Sequence, residues 1–341
     1  MKSLRVLVLM HEDLIPPQSL DGYTEEEILD WKTEFDVLGT LRDMGHDAIP
    51  LGVSDDLGLI RRSILDEQPD VVFNLLEEFH SVAHYDQNVV GYLELMRQPY
   101  TGCNPRGLML AHDKPLSKKI LTYHRIPTPH FAVYALGRAV KPLRRLKYPL
   151  LVKSTMEEAS FGISQASIVS SDAKLKDRVE FVHEQVKTDA LVEEYIEGRE
   201  FYVGVMGNHR LQTFPVWEML FKNMPDDLAK IATRKVKWSP DYQKKHGITT
   251  LAASDLPDDL VRQLDRLSKR IYRALTLSGY ARMDFRMRED GSIFVLEANP
   301  NPNLSYGEDF SESAEVVGIS YEDLLQRILN LGLRYEAAWK G

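Results

Sequence analysis

A single cysteine among 341 residues excludes two architectures at once. Cys103 cannot close an internal disulfide and has no metal-ligand spacing around it, so it reads as an inert packed thiol. Long apolar runs are missing too. Val6 to Met10 is too short for a signal peptide and lacks a small-residue cleavage site, and no other stretch could span a bilayer. This predicts a cytoplasmic protein with no membrane partner. Positive charge is in deficit, and a formal net charge of -9 argues against nucleic acid or an anionic membrane surface as a partner. The long connection from His11 to Tyr23 holds Pro16-Pro17 but no glycine before Gly22, so no dinucleotide-binding fingerprint opens the chain. Internal repeats and low-complexity segments are absent.

What is present is 43% hydrophobic residues, ample for packed cores in one large or several modest domains. Strands at Leu4 to Met10, Ala48 to Leu51 and Val71 to Leu75 alternate with helices at Glu25 to Met44, Leu57 to Glu67 and Asn88 to Arg97, which predicts a parallel α/β sheet. The first helix is the best marked, with a Thr24-x-x-Glu27 capping box, an apolar stripe of Ile28, Trp31, Phe35, Leu38 and Leu41, and Gly45 as its stop. His112-Asp113-Lys114 opens a second unit. Prolines at 127, 129, 142 and 149 then punctuate the approach to the strand Leu150-Leu151-Val152-Lys153. A further strand, Ala190 to Glu193, runs into an acidic segment ending at Glu200, and the chain closes with a helix from Tyr321 to Leu333 capped by Ser320. These divisions predict domains of residues 1–111, 112–196 and 197–341.

Near the end, Gly279 to Arg288 and Ser292 to Asn299 read as strands joined by Asp290-Gly291. Both turn residues tolerate the positive φ of a type I′ turn. Pairing Glu289 with Ser292 sets Arg286 opposite Val295, Asp284 opposite Glu297 and Arg282 opposite Asn299, all on one face. Ala281, Met283, Phe285, Met287, Phe294, Leu296 and Ala298 fall on the other face, which is apolar and pins the register. Two carboxylates directly opposite each other repel unless a cation lies between them. With an amide as third member, Asp284, Glu297 and Asn299 suit a hard ion such as Mg²⁺ better than a proton-transfer pair. Arg282 beside them suits anionic oxygens, and together these are the parts of a phosphate and metal site. The bland alternative, an exposed ion pair on a solvated face, leaves the carboxylate pair and the Asn299-Pro300-Asn301-Pro302-Asn303 tail unexplained.

Taken in order, these motifs resemble the ATP-grasp ligases, and within them the D-alanine:D-alanine ligase branch, over most of the chain after about residue 70. The resemblance implies an α/β protein with an ATP-grasp fold, α+β in its ATP-binding part, behind a Rossmann-like parallel-sheet domain. It also implies ATP and two Mg²⁺ as cofactors, with Mn²⁺ able to substitute, and a homodimer. Lys114 in His-Asp-Lys-Pro and Lys153 in Leu-Val-Lys-Ser would reach the nucleotide phosphates. Glu193, Tyr195 and Ile196 would surround adenine with Leu296 nearby, and Glu200 would hold the sugar hydroxyls. Ser160 and Gly162 match the phosphate loop, and Lys237 the lysine of a mobile loop over the γ-phosphate. Asp284, Glu297 and Asn299 would hold the metal while Arg282 faces the transferred phosphate, which makes Arg282, Lys237 and Ser160 the catalytic set.

Departures from the family concentrate in loops. Thr155-Met156-Glu157-Glu158-Ala159-Ser160-Phe161-Gly162 carries Glu158 where the family has a glycine, and the Gly-Gly-x-Ser-type loop that positions the first D-alanine is absent from His11 to Tyr23. Where relatives follow the metal asparagine with hydroxyl residues that hold a carboxylate, this chain has Pro302-Asn303-Leu304-Ser305-Tyr306-Gly307-Glu308. An acidic Glu308 repels a carboxylate. Glu12, His80, Asp86, Asn303 and Glu308 are the residues expected to face the small-molecule carboxylate and amine substrates, and the loops Glu157 to Gly162 and Ala232 to Gly247 are candidate lids. By resemblance a carboxylate attacks the γ-phosphate of ATP and an amine displaces phosphate from the acyl phosphate, a reaction that needs charge neutralisation more than covalent help. The expected activity is ADP-forming amide ligation on amino acids or small peptides. Genuine D-alanine:D-alanine ligation and a silent nucleotide-binding regulator are the alternatives.

Overall fold

The computed structural model describes residues 3–141, 145–156, 164–225 and 228–340. Strands β1 (Arg5–His11), β2 (Asp47–Val53) and β3 (Val71–Asn74) form a parallel sheet in the order β2-β1-β3. All of β3 is buried, as a parallel strand covered on both faces requires. Helices α1 (Glu25–Asp43), α2 (Leu57–Glu67) and α3 (Asp86–Leu95) alternate with these strands, α3 starting two residues before the predicted Asn88. The capping box of α1 is formed, with Thr24 Oγ1 accepting from Glu27 N at 3.3 Å and Glu27 Oε2 accepting from Thr24 N at 2.8 Å. Two short helices follow. Asn104 caps α4 (Pro105–His112) and Asp113 caps α5 (Lys114–Tyr123), so Lys114 opens α5 and Lys118 lies one turn on.

A second sheet holds β4 (Phe131–Tyr134), β5 (Leu150–Ser154), β6 (Ile168–Val169) and, after α6 (Asp172–Phe181), β7 (Ala190–Glu194), in the antiparallel order β4-β7-β5-β6. Leu175 and Val179 of α6 pack against Val152, Val169 and Val192 beneath it. The third sheet contains β8 (Arg199–Met206), β9 (Gln212–Thr213), β10 (Trp217–Phe221), then after α7 (Arg234–Trp238) and α8 (Pro240–His246) β11 (Ile248–Ala252), and after α9 (Asp258–Ala274) β12 (Tyr280–Met287) and β13 (Ile293–Pro300). Its order is β11-β10-β8-β12-β13, with β9 pairing β8. Leu264, Leu267 and Ile271 repeat at helical spacing along α9 and close the apolar face of this sheet, meeting Phe201, Val203, Val205, Met283 and Phe285. Finally α10 (Asp309–Val316) and α11 (Tyr321–Arg334) pack through Phe310, Leu324 and Ile328 against Val6, Val8 and Phe73 of the first sheet. No helix among the described residues is long and apolar enough to cross a membrane.

Candidate nucleotide and metal site

With Phe201, Val203 and Val205 of β8 and Ala281, Met283 and Phe285 of β12 committed to the core, period two turns Glu200, Tyr202, Arg282, Asp284 and Arg286 to the opposite face. Register then fixes the neighbours. Asp284 stands opposite Glu297 and Arg282 opposite Asn299 on β13, while on β8 Arg286 faces Glu200 and Asp284 faces Tyr202. The four-residue row predicted from sequence is present in the predicted pairing.

Its route differs from the prediction. Arg288 O accepts from Gly291 N at 3.0 Å, Arg288 N donates to Ser292 O at 3.0 Å, and Gly291 has φ 82. The turn is therefore centred on Glu289-Asp290 with Gly291 in the left-handed position, a three-residue loop rather than a type I′ turn at Asp290-Gly291. This sets Arg286 opposite Phe294 instead of Val295. A β-bulge after Asp284 shifts the register back by one and leaves Leu296 as the extra residue. The two displacements cancel at the functional pairs. They do not cancel for the apolar face: Ile293 and Val295 enter the core, and Leu296 turns into the cleft instead of joining the apolar row where simple alternation put it.

Arg282 forks onto Asp284, with Nε–Oδ1 at 2.8 Å and Nη2–Oδ2 at 3.0 Å, and its Nη1 donates to Asp309 Oδ2 at 2.8 Å. Its guanidinium lies 4.7 Å above the Tyr202 ring. Asp309 arrives on α10, whose Phe310 ring packs on Phe214 and Tyr280. A Cβ at Gly204 would come within 2.8 Å of Phe214 and 3.1 Å of Phe310, so only glycine lets α10 approach this closely. Burial pushes the Asp284 carboxyl up to about 6 against the pull of Arg282. At Glu297 burial also pushes upward, but Lys114, Lys153, Lys237 and Arg282 outweigh it and hold the carboxyl down at about 2. Asn299 Nδ2 is buried with no hydrogen-bond partner. Among the described residues no group of three His, Cys, Asp or Glu is placed to hold a metal ion, so a metal between Asp284 and Glu297 would need the Asn299 amide oxygen as its third side-chain donor. The carboxylates of Asp284 and Glu297 and the amide oxygen of Asn299 are hard oxygen donors that fit Mg²⁺.

The facing wall adds partners the sequence did not show. Glu193, expected at adenine, lines the cleft and also joins two lysines: Lys118 Nζ lies 2.7 Å from Oε2 and Lys153 Nζ 2.8 Å from Oε1, with the three side chains 2%, 7% and 2% exposed for Lys118, Lys153 and Glu193. Lys118 also donates to Thr128 Oγ1 at 3.0 Å and to Leu296 O at 3.4 Å. Burial lowers the Lys118 ammonium despite Glu193, and at Lys153 the carboxylates of Glu193 and Glu297 overcome burial and raise it. At Glu193 the two lysines overcome burial and hold the carboxyl low. Lys118 was missed in the sequence, although Lys114-x-x-x-Lys118 puts both ammonium groups on one helix face.

One cleft gathers Lys153, Glu193, Tyr195, Glu200, Lys237, Leu296 and the Asp284/Glu297 pair, with Ile196 buried beside it and Arg286, unassigned from sequence, in its wall. Ser160, Gly162 and Glu158 lie outside the described residues. The expected substrate residues are scattered. Glu12 is exposed in a single turn after β1, and His80 is exposed at φ 55 with its N–H on Ser54 O at 2.7 Å. Asp86 is buried 3.6 Å from His112 Nδ1. Asn303 Oδ1 accepts from Thr33 Oγ1 at 2.9 Å and from Ser305 N and Oγ at 2.8 Å, which makes it a tie between α1 and its own loop rather than a free ligand. Only Glu308 stands at the metal row: burial and Asp309 push its carboxyl up against the fields of Arg282, Lys32 and Lys237.

Comparison with known proteins places the chain in a family and a fold. The family described as D-ala D-ala ligase C-terminus matches residues 128–330. A D-alanine–D-alanine ligase of Geobacter sulfurreducens is 32% identical over 298 residues, covering 86% of each chain. An uncharacterized protein of Sinorhizobium fredii, y4sG, is 30% identical over 305 residues, covering 87% of this chain and 86% of its own. The crystal structure of the Bacillus anthracis D-alanine–D-alanine ligase complexed with ATP superposes with a TM-score of 0.75 over 97% of this chain and 98% of that one, at 23% identity, a likeness of fold. The chain belongs to the D-alanine:D-alanine ligase family of ATP-grasp proteins, a class of ATP-dependent, ADP-forming carbon–nitrogen ligases.

Proposed function

We propose that this protein activates a small-molecule carboxylate with ATP and joins it to an amine, and that its substrate pair differs from two D-alanines. The observation that carries the ligase reading is the row of Arg282, Asp284, Glu297 and Asn299 on one sheet face, opposite the Lys118–Glu193–Lys153 wall. Asp284, Glu297 and Asn299 would hold Mg²⁺, two ions replaceable by Mn²⁺, which when bound neutralise the β- and γ-phosphates. Lys114 and Lys153 offset phosphate charge, Tyr195, Ile196 and Leu296 receive the base, and Lys237, with Ser160 and Gly162, closes over the γ-phosphate. A carboxylate oxygen attacks the γ-phosphorus as its bond to ADP breaks, and Arg282 stabilises the transferring group. The amine then attacks the acyl carbon, loses a proton to solvent and expels phosphate, leaving an amide. Family membership also supports a cytoplasmic homodimer with domains at 1–111, 112–196 and 197–341.

Glu308 at the acceptor end supports an acceptor without a carboxylate at that point, since an acid there repels one, while Asp309 is already paired with Arg282. The relatives named as D-alanine–D-alanine ligases support the other reading, in which D-alanine is both substrates. ADP and phosphate release from Mg-ATP across D- and L-amino acids and dipeptides, with mass detection of the amide, decides between them. Product from D-alanine alone establishes cell-wall-type ligation, and product from other pairs a distinct ligase. Tight ATP binding with no turnover on any pair would return the chain to a regulatory role.

A further inference from the structure

We propose that Arg286 is the positioning residue of the nucleotide end of the cleft, and that through Glu200 it leaves a single acceptor site for one sugar hydroxyl. The proposal rests on the reading of this cleft as an ATP site. Arg286 is 3% exposed and sits directly across the β8–β12 pair from Glu200. Its Nε and Nη2 donate to Glu200 Oε2 at 3.0 and 2.6 Å. Nη1 donates to Tyr195 Oη at 3.0 Å and Ile196 O at 2.9 Å, and Nη2 also reaches the Lys230 carbonyl. A guanidinium has five N–H donors, and these contacts use all of them. Arg286 therefore has nothing left to give a ligand.

What it does is hold other groups still. Tyr195 and Ile196 follow the last strand of the second sheet, Glu200 belongs to the third, and Lys230 lies in the segment leading into the helix of Lys237, so one planar side chain ties three parts of the cleft together. A lysine has no such fork. A carboxylate offers about four acceptor positions. At Glu200, Oε2 is filled twice by Arg286 and Oε1 once by Tyr202 Oη at 2.8 Å. One position remains, on Oε1. Pairing with Arg286 also neutralises Glu200, so the polar end of the cleft accepts a hydroxyl without repelling the phosphates further along.

The test is the binding of ATP, 2′-deoxy-ATP and 3′-deoxy-ATP by the intact protein with Mg²⁺. A single charged acceptor predicts that one deoxynucleotide binds roughly 10- to 100-fold more weakly than ATP and that the other binds like ATP. In Arg286→Lys the discrimination should fall to within about threefold and KM for ATP should rise roughly tenfold, with kcat at saturation little changed, because the reacting phosphate is handled by other residues. Unchanged discrimination in Arg286→Lys overturns the positioning role. If that variant does not fold, the wild-type measurement still decides: discrimination against both deoxynucleotides, or against neither, overturns the single-acceptor geometry. Failure of the wild type to bind any of the three would instead overturn the ATP reading on which this rests.

Discussion

Two groups of polar side chains differ in what fixes them: one stands on paired strands that line the cleft, and the other lies off the strands, outside it. Arg282, Asp284, Glu297 and Asn299 face one another because burial of Met283, Phe285, Val295 and Ala298 leaves them nowhere else to point. Asp86 and Asn303 have no such constraint. The Asp86 carboxylate, at the start of α3, lies 3.6 Å from His112 Nδ1, and the Asn303 amide oxygen accepts from Thr33 and Ser305 within the fold. A strand thus commits a polar residue to a shared face, whereas a residue off the strands first meets its own surroundings and often has less capacity left for a ligand.

The sharpest way to break this contrast is at the metal row. Asp284→Asn removes a charge from the donor set and from beneath Arg282, and turnover should fall roughly 1,000-fold while nucleotide affinity stays within about tenfold. Turnover within tenfold of wild type in an ADP-release assay would show that the row is not the reaction centre. On the facing wall, Glu193→Gln strands two buried ammonium groups beside each other. Breaking a buried ion pair by removing one partner costs about 3 to 4 kcal/mol, so chemical denaturation should lose about that much stability. A loss below about 1 kcal/mol would mean that the lysines find water or each other tolerable, and that this wall is softer than the strands suggest.

The first helix carries a buried acid of its own. Glu34 on α1 is raised to about 7 by burial, with its own backbone N–H opposing and Glu77 adding to the rise. Its ordinary value is 4.5, so the folded state holds a proton that the unfolded state has already lost between pH 4.5 and 7. Stability from this group is complete below about 4.5 and disappears as pH rises through 7, a difference of about 3 kcal/mol at most. Glu34→Gln should flatten the fall in Tm between pH 5 and 8 and melt higher than wild type at pH 8. Parallel curves for the two proteins would remove Glu34 from the account.

How much of this was legible in the sequence follows the same division. The parallel α/β opening, the capping box at Thr24 and the facing pairs of the hairpin are local signals, and local signals survive. The bulge that turns Leu296 into the cleft was not legible, because alternation alone cannot reveal an extra residue, and the turn at Glu289-Asp290 hid the discrepancy by shifting the count the other way. The ion pairs of Glu193 were not legible for a different reason: its partner Lys118 is distant in sequence and comes from a helix that the acidic segment gives no hint of. Arg286 looked like one more alternating strand residue until the third sheet brought Glu200 opposite it.

The smallest effect separates the two groups most cleanly. Asn303→Ala removes the acceptor shared by Thr33 Oγ1 and by the buried Ser305 through both its N–H and hydroxyl, while touching none of the residues in the cleft. Leaving those donors unsatisfied costs about 1 to 2 kcal/mol, so the variant should melt lower. Its KM for the acceptor should stay within about twofold of wild type, because the amide is spent on holding the loop to α1. The reverse pattern, a large rise in acceptor KM at unchanged Tm, would mean that Asn303 exchanges its internal partners for substrate, and a loop residue would then join the work proposed for Arg282, Asp284, Glu297 and Asn299 on their strands.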